Sequence, residues 1–149
     1  MSAVPTTARR SSIEPVCVAD AMTSGLISCT PEATLRMVAK IMATHHIHAV
    51  YVFDYGREDD ETVELWGLVS DLDVAAAVGA DLDARTARNS AVTPLVVVRD
   101  DETVERAAAL MAEHSVSHLA VLDRSSGRPI GVLSTLDIAA AVADGGVSP

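Results

Sequence analysis

Two serine–aspartate pairs of one spacing carry the clearest chemistry in this 149-residue chain: Ser70-Asp71-Leu72-Asp73 and Ser134-Thr135-Leu136-Asp137. Each follows a glycine and two apolar residues, Gly67-Leu68-Val69 and Gly131-Val132-Leu133, and each opens an Ala-rich stretch of helical character. A strand that delivers the chain into a helix N-terminus leaves free backbone donors at the positive end of the helix dipole, where an anion such as a phosphate is favoured. The serine hydroxyl adds a donor for a phosphate or ribose oxygen. A carboxylate three residues on can accept both hydrogen bonds of a ribose diol. The same Ser-x-x-Asp pattern is also a capping box, in which serine and acid satisfy the helix's own orphan donors. Both readings stand, and they can hold in different copies.

Other reactive residue types lead less far. His45 and His48 are three apart, and His114 and His118 four apart, spacings that can converge on a metal when they share a helix. Each pair straddles a helix end and the following strand, so no metal site is expected. Cys17 and Cys29 lack the partners of a zinc site and read as small apolar residues. There is no glycine-flanked serine elbow, no glycine-rich phosphate loop, and no acid pair placed by pattern for acid–base work. The expectation is a binding protein that is not an enzyme and requires no cofactor.

The elements that must position these pairs follow from an internal repeat. Ala21 to Asp54 runs parallel to Ala91 to Asp123, and Trp66 to Val78 to Ile130 to Val142, with identity at Thr23/Thr93, Met42/Met111, His45/His114, Gly67/Gly131, Ser70/Ser134 and Asp73/Asp137. Periodicity predicts strands at Leu26–Cys29, Ile47–Phe53 and Leu65–Val69 in the first copy, and at Leu95–Val98, His118–Leu122 and Pro129–Leu133 in the second. Between the first two strands of each copy lies a helix. In the first, Thr30 and Pro31 read as N-cap and first helical residue, and Leu35, Val38, Ala39 and Met42 as the inward face. A second helix runs through Val78 or Val142. The fold class is therefore α/β (α+β): tandem β-α-β-β-α units, each too small to bury its helices and sheet alone, packed face to face as a pseudo-twofold pair. The expected organisation is a disordered N-terminal segment 1–15, unit 16–79, linker 80–90, unit 91–143 and tail 144–149.

Bulk composition narrows the partners. Twenty-one acids against eleven bases give a net charge of -10, which opposes association with phosphate backbones, so nucleic acid is not expected. Asp54 to Glu64 holds six acids and only Arg57, a solvated acidic loop. Apolar positions are interrupted by charges throughout, so no membrane association is expected, and with two cysteines in apolar surroundings the expected compartment is the cytoplasm.

The repeat, the order of elements and the closing motif, Gly67-Leu68-Val69-Ser70-Asp71-Leu72-Asp73 and Gly131-Val132-Leu133-Ser134-Thr135-Leu136-Asp137, together resemble the cystathionine β-synthase (CBS) domain pair, or Bateman module. The stretches HHIHAVYVFD and HSVSHLAVLD are similar to the family's strand before an acidic turn, and the resemblance spans about Val16 to Ala143. It implies a pair of units with two symmetry-related clefts, homodimerisation, and an adenosine ligand such as AMP, ADP, ATP or S-adenosylmethionine that signals to an unidentified regulated protein. By resemblance Asp73 and Asp137 are the ribose ligands. Leu26 and Ile27, or Leu95 and Val96, offer the adenine slot. His48 and Ala49, with Ser117 and His118, stand where residues face the phosphates, which makes the two histidines candidate phosphate donors. Asp71 beside Asp73 weakens phosphate affinity and Thr135 does not, so the cleft with Ser134 and Asp137 is the expected better nucleotide site. The alternative is a ligand-free structural module that dimerises and docks on another protein, its motifs serving only as caps.

Overall fold

The computed structural model of the chain describes residues 16–54, 64–91 and 95–145. The order is α1 (Val18–Ala21), β1 (Thr23–Ser24), β2 (Ser28–Cys29), α2 (Leu35–His45), β3 (Ala49–Asp54), β4 (Glu64–Ser70), α3 (Asp71–Ala76), α4 (Ala87–Ser90), β5 (Val97–Arg99), α5 (Val104–His114), β6 (His118–Leu122), β7 (Pro129–Ser134) and α6 (Thr135–Ala143). Both copies of β-α-β-β-α are present, as β2-α2-β3-β4-α3 and β5-α5-β6-β7-α6. The expected disordered segment 1–15, most of the acidic loop and the last tail residues lie outside the described residues.

The chain forms two compact units. Unit I is Gly25–Val96, and unit II joins the N-terminal stretch through Ser24 to everything from Val97 onward. In unit I, β2 pairs parallel to β3 (Ser28↔Tyr51, Cys29↔Val52), and β3 pairs antiparallel to β4 from Ala49↔Ser70 to Asp54↔Glu64. Leu35, Val38 and Met42, spaced i, i+3 and i+7, form the buried stripe of α2 that packs with Val50, Val52 and Val69. The N-cap of α2 is Thr34, whose hydroxyl accepts the N–H of Met37 at 3.1 Å, and not Thr30. Thr30 and Pro31 instead belong to the preceding turn, closed by Ala33 N–H on the Thr30 carbonyl at 3.1 Å. Thr103 makes the equivalent cap on α5, accepting the N–H of Arg106 at 3.1 Å.

Residues 80–90, expected as a linker, are tied into unit I. The first N–H groups of α2 need acceptors, and the segment supplies them: Leu35 N–H binds the Arg85 carbonyl at 3.0 Å and Arg36 N–H the Leu82 carbonyl at 3.3 Å. Ala87 N–H returns a bond to the Ala33 carbonyl at 2.8 Å, and Ala87 is fully buried among Leu35, Val38 and Met42. The helix expected to run through Val78 ends earlier, at Ala76, with Ala77 as its buried C-cap.

Unit II repeats the plan with the N-terminal segment in the same role. Val104 N–H binds the Val16 carbonyl at 2.9 Å, Val18 N–H binds the Glu102 carbonyl at 2.8 Å, and Val18 is fully buried. The sheet order is β1-β7-β6-β5, with β1 antiparallel to β7 through Thr23↔Val132 and Ser24↔Gly131. Its core is Val98, Val104, Ala107, Met111, Leu119, Val121 and Leu133. One carboxylate is buried with them: Asp100, 7% exposed, accepts the Arg124 backbone N–H at 2.9 Å and its guanidinium at 3.2 Å, tying the end of β5 to the β6–β7 turn. In that turn the backbone N–H groups of Ser126 and Ser125 hold the Asp123 carboxyl below its ordinary range. Among the described residues no helix is long and apolar enough to cross a membrane.

Candidate functional site

The two Ser-x-x-Asp pairs stand where β4 enters α3 and where β7 enters α6. Serine at the last strand position keeps extended dihedrals (φ -100° and -109°) while the next residue turns helical, which suits an N-cap. Both junctions form a complete capping box. Ser70 N–H donates to Asp73 Oδ2 at 2.8 Å and Asp73 N–H to Ser70 Oγ at 3.3 Å. Ser134 N–H donates to Asp137 Oδ2 at 2.9 Å and Asp137 N–H to Ser134 Oγ at 3.1 Å. The capping reading therefore describes both copies as they stand. It leaves each aspartate its second oxygen, Oδ1, as an acceptor for a ligand hydroxyl.

The remaining donors differ between the copies. In unit I the Ser70 hydroxyl gives its proton to Asp73 Oδ2 at 3.0 Å, Asp71 N–H binds the His48 carbonyl at 2.8 Å, and Leu72 N–H binds Asp71 Oδ1 at 2.8 Å. Every N–H from Ser70 to Asp73 is taken. In unit II Thr135 N–H binds the Ser117 carbonyl at 3.0 Å, but the Ser134 hydroxyl proton and the Leu136 N–H meet no acceptor among the described residues. Asp137 Oδ1 instead faces the hydroxyl of Thr23 at 3.4 Å. Thr23 was visible in the repeat as an identity with Thr93. What brings it to the site is the β1–β7 pairing, which spans more than one hundred residues of sequence and has no local signal. Thr93 lies outside the described residues.

The other expected site residues fall as follows. Ala49 pairs with Ser70 and His118 with Ser134 in register, while His48 and Ser117 precede them and supply the carbonyls just named. The structure thus brings His48, Ala49, Ser70 and Asp73 together in unit I, and Ser117, His118, Ser134, Thr135 and Asp137 in unit II. His48 is committed locally, its Nδ1 lying 3.1 Å from Asp71 Oδ2. His118 Nδ1 lies 3.0 Å from the Ser117 hydroxyl. Leu26 is 49% exposed, and Ile27 is half-buried beside β3, its carbonyl accepting Tyr51 N–H at 3.0 Å. Leu95 and Val96 directly precede β5. Among the described residues no group of three or more His, Cys, Asp or Glu could hold a metal ion.

Neither cysteine is bonded, and burial pushes the Cys29 thiol up to about 11 from 9.0. Because the thiolate is the nucleophile, alkylation of Cys29 is expected to quicken about tenfold per pH unit through pH 9–10. A rate that levels off near pH 9, measured by mass spectrometry of quenched samples, would contradict that assignment.

The profile of the CBS domain matches residues 18–80 and 90–144. The CBS domain-containing protein YhcV of Bacillus subtilis (strain 168) is 27% identical over 124 residues, which are 82% of this chain and 82% of that one. Among solved structures, the chain resembles the CBS domain pair of protein MJ0100 in complex with 5′-methylthioadenosine and S-adenosyl-L-methionine, with TM-score 0.73, 21% identity, and 89% of this chain and 99% of the other covered. It also resembles CBSX2 in complex with AMP, with TM-score 0.64, 25% identity, and 87% and 97% covered. Each matched segment contains one of the two capped strand-to-helix junctions: the chain belongs to the CBS domain family and carries two copies of its domain.

Proposed function

We propose that the chain is a regulatory module that binds an adenosine derivative, with Asp137 holding the ribose and the N-terminus of α6 receiving the phosphate. The observation that carries this reading is the pair of open donors in unit II, the Leu136 N–H and the hydroxyl proton of Ser134, whose oxygen already accepts the Asp137 N–H. AMP and S-adenosylmethionine are the ligands to try first, because related CBS proteins hold them. Binding would bias the geometry of the module, and a partner protein would respond to the change. Leu72 and Leu136, 64% and 63% exposed at equivalent positions of α3 and α6, support self-association as a homodimer. Two unpaired cysteines fit a reducing compartment such as the cytoplasm. The module has no catalytic role in this reading, and adenosine acts as a regulatory ligand rather than a cofactor.

The closed capping boxes favour a second reading, a ligand-free docking module. Calorimetry with AMP, ATP and S-adenosylmethionine separates the two. Saturable heat with at least one of them at micromolar to low millimolar concentration is expected. No heat from any would leave the docking module.

A further inference from the structure

The two junctions differ at the residue after the serine. In unit I the carboxylate of Asp71 does what a bound anion would do: Oδ1 accepts the Leu72 N–H at 2.8 Å and Oδ2 lies 3.1 Å from His48 Nδ1. The side chains of His48 and Asp71 are 59% and 53% exposed, so this negative group stands at the open side of the junction. In unit II the equivalent residue is Thr135, which carries no charge, and the Leu136 N–H and Ser134 hydroxyl proton keep no internal acceptor among the described residues. Ser134 is 9% exposed and its hydroxyl oxygen accepts the Asp137 N–H, which leaves its proton to a group that enters the junction.

We infer that the residue at position 71 or 135 sets the charge class of the 5′ substituent each unit accepts. Asp71 reserves unit I for an adenosine derivative whose 5′ group is neutral or cationic, and Thr135 leaves unit II to a phosphate. This rests on the adenosine reading proposed above. A ribose held at Asp73 would bring its 5′ group beside Asp71. There a phosphate meets a like charge and finds no free N–H in the turn, whereas an ammonium or sulfonium can replace His48 as the partner of the carboxylate. At Asp137 the same placement offers a phosphate two open donors and no acid at position 135.

AMP, adenosine and 5′-amino-5′-deoxyadenosine differ only in the 5′ group, so calorimetric titration of each tests the selector. The wild-type chain is expected to take one AMP, and Asp71→Thr two. Thr135→Asp is expected to weaken AMP by about tenfold or more, to leave adenosine within about twofold, and to tighten the amino derivative. Positions 71 and 135 are both exposed, and thermal melts check that the variants remain folded; if Asp71→Thr does not fold, Thr135→Asp decides alone. AMP affinity unchanged in Thr135→Asp, or a single AMP per chain in folded Asp71→Thr, overturns the selector. Failure of all three ligands on the wild type removes the adenosine reading itself, a distinct outcome.

Discussion

Gly131→Ala should lower stability by about 2–3 kcal/mol, seen as a fall of roughly 5–10 °C in melting temperature, and should weaken adenosine binding with it. A Cβ at position 131 would lie 2.5 Å from the Thr23 carbonyl oxygen, 3.2 Å from Met22 Sδ and 3.4 Å from Ser24 Cα. The methionine sulfur can move, but the two backbone atoms belong to β1, paired to β7 at Ser24↔Gly131. Relief therefore requires β1 to leave the sheet. That withdraws Thr23 from Asp137 Oδ1 and loosens α1, whose Val18 fills the core of unit II. Gly79→Ala is the matched control, because a Cβ there meets nothing within 4 Å; it should change stability by less than about 0.5 kcal/mol. Equal melting temperatures for the two variants, by calorimetry or circular dichroism, would show that β1 does not constrain β7.

Asp137→Ala has the largest expected effect on binding. It removes Oδ2, the acceptor for the Ser134 N–H, and Oδ1, the oxygen assigned to the ribose. Loss of the cap should cost about 1–2 kcal/mol of stability. Loss of a charge-assisted acceptor for the ribose should weaken AMP by about 2–3 kcal/mol, roughly 30- to 150-fold. Asp73→Ala loses the matching cap in unit I, where Ser70 donates both its N–H and hydroxyl to Asp73 Oδ2, and should leave AMP affinity largely intact. Asp137→Asn keeps an oxygen acceptor for the cap and so separates the two effects, with stability largely restored and affinity still reduced. If Asp137→Ala lowers the melting temperature but binds AMP like the wild type, the aspartate is a cap alone.

The alternation and helical periods of the two copies are enough to read the order of the five elements in each copy and both junctions, but not α1, β1 or α4. The apolar stripe Leu35, Val38, Met42 and its counterpart Val104, Ala107, Met111 can face only one way, and Ser-x-x-Asp after an apolar run has a local physical cause. What stayed hidden was held by backbone or by distance. Residues 80–90 look like a polar, Ala-rich linker because they are tied to α2 and the turn before it largely by backbone bonds, two carbonyls accepting and the N–H groups of Ala87 and Arg88 donating, and backbone groups carry no residue identity. The seating of Val16 to Ser24 in unit II depends on pairing with residues from Val97 onward, which neighbouring sequence does not encode. Thr30-Pro31 imitated a helix start. The true cap, Thr34, is the repeat equivalent of Thr103, the cap of α5. Asp71 was legible as an extra acid, but its hold on both Leu72 N–H and His48 was not.

The most direct test of an adenosine site at the start of α6 is an amide ¹H–¹⁵N titration with AMP. The Leu136 N–H, without an internal partner, is expected to shift strongly and saturably, while the Leu72 N–H, already bonded to Asp71 Oδ1, stays in place. Saturation with Leu136 unmoved, or Leu72 and Leu136 shifting alike, would contradict the account.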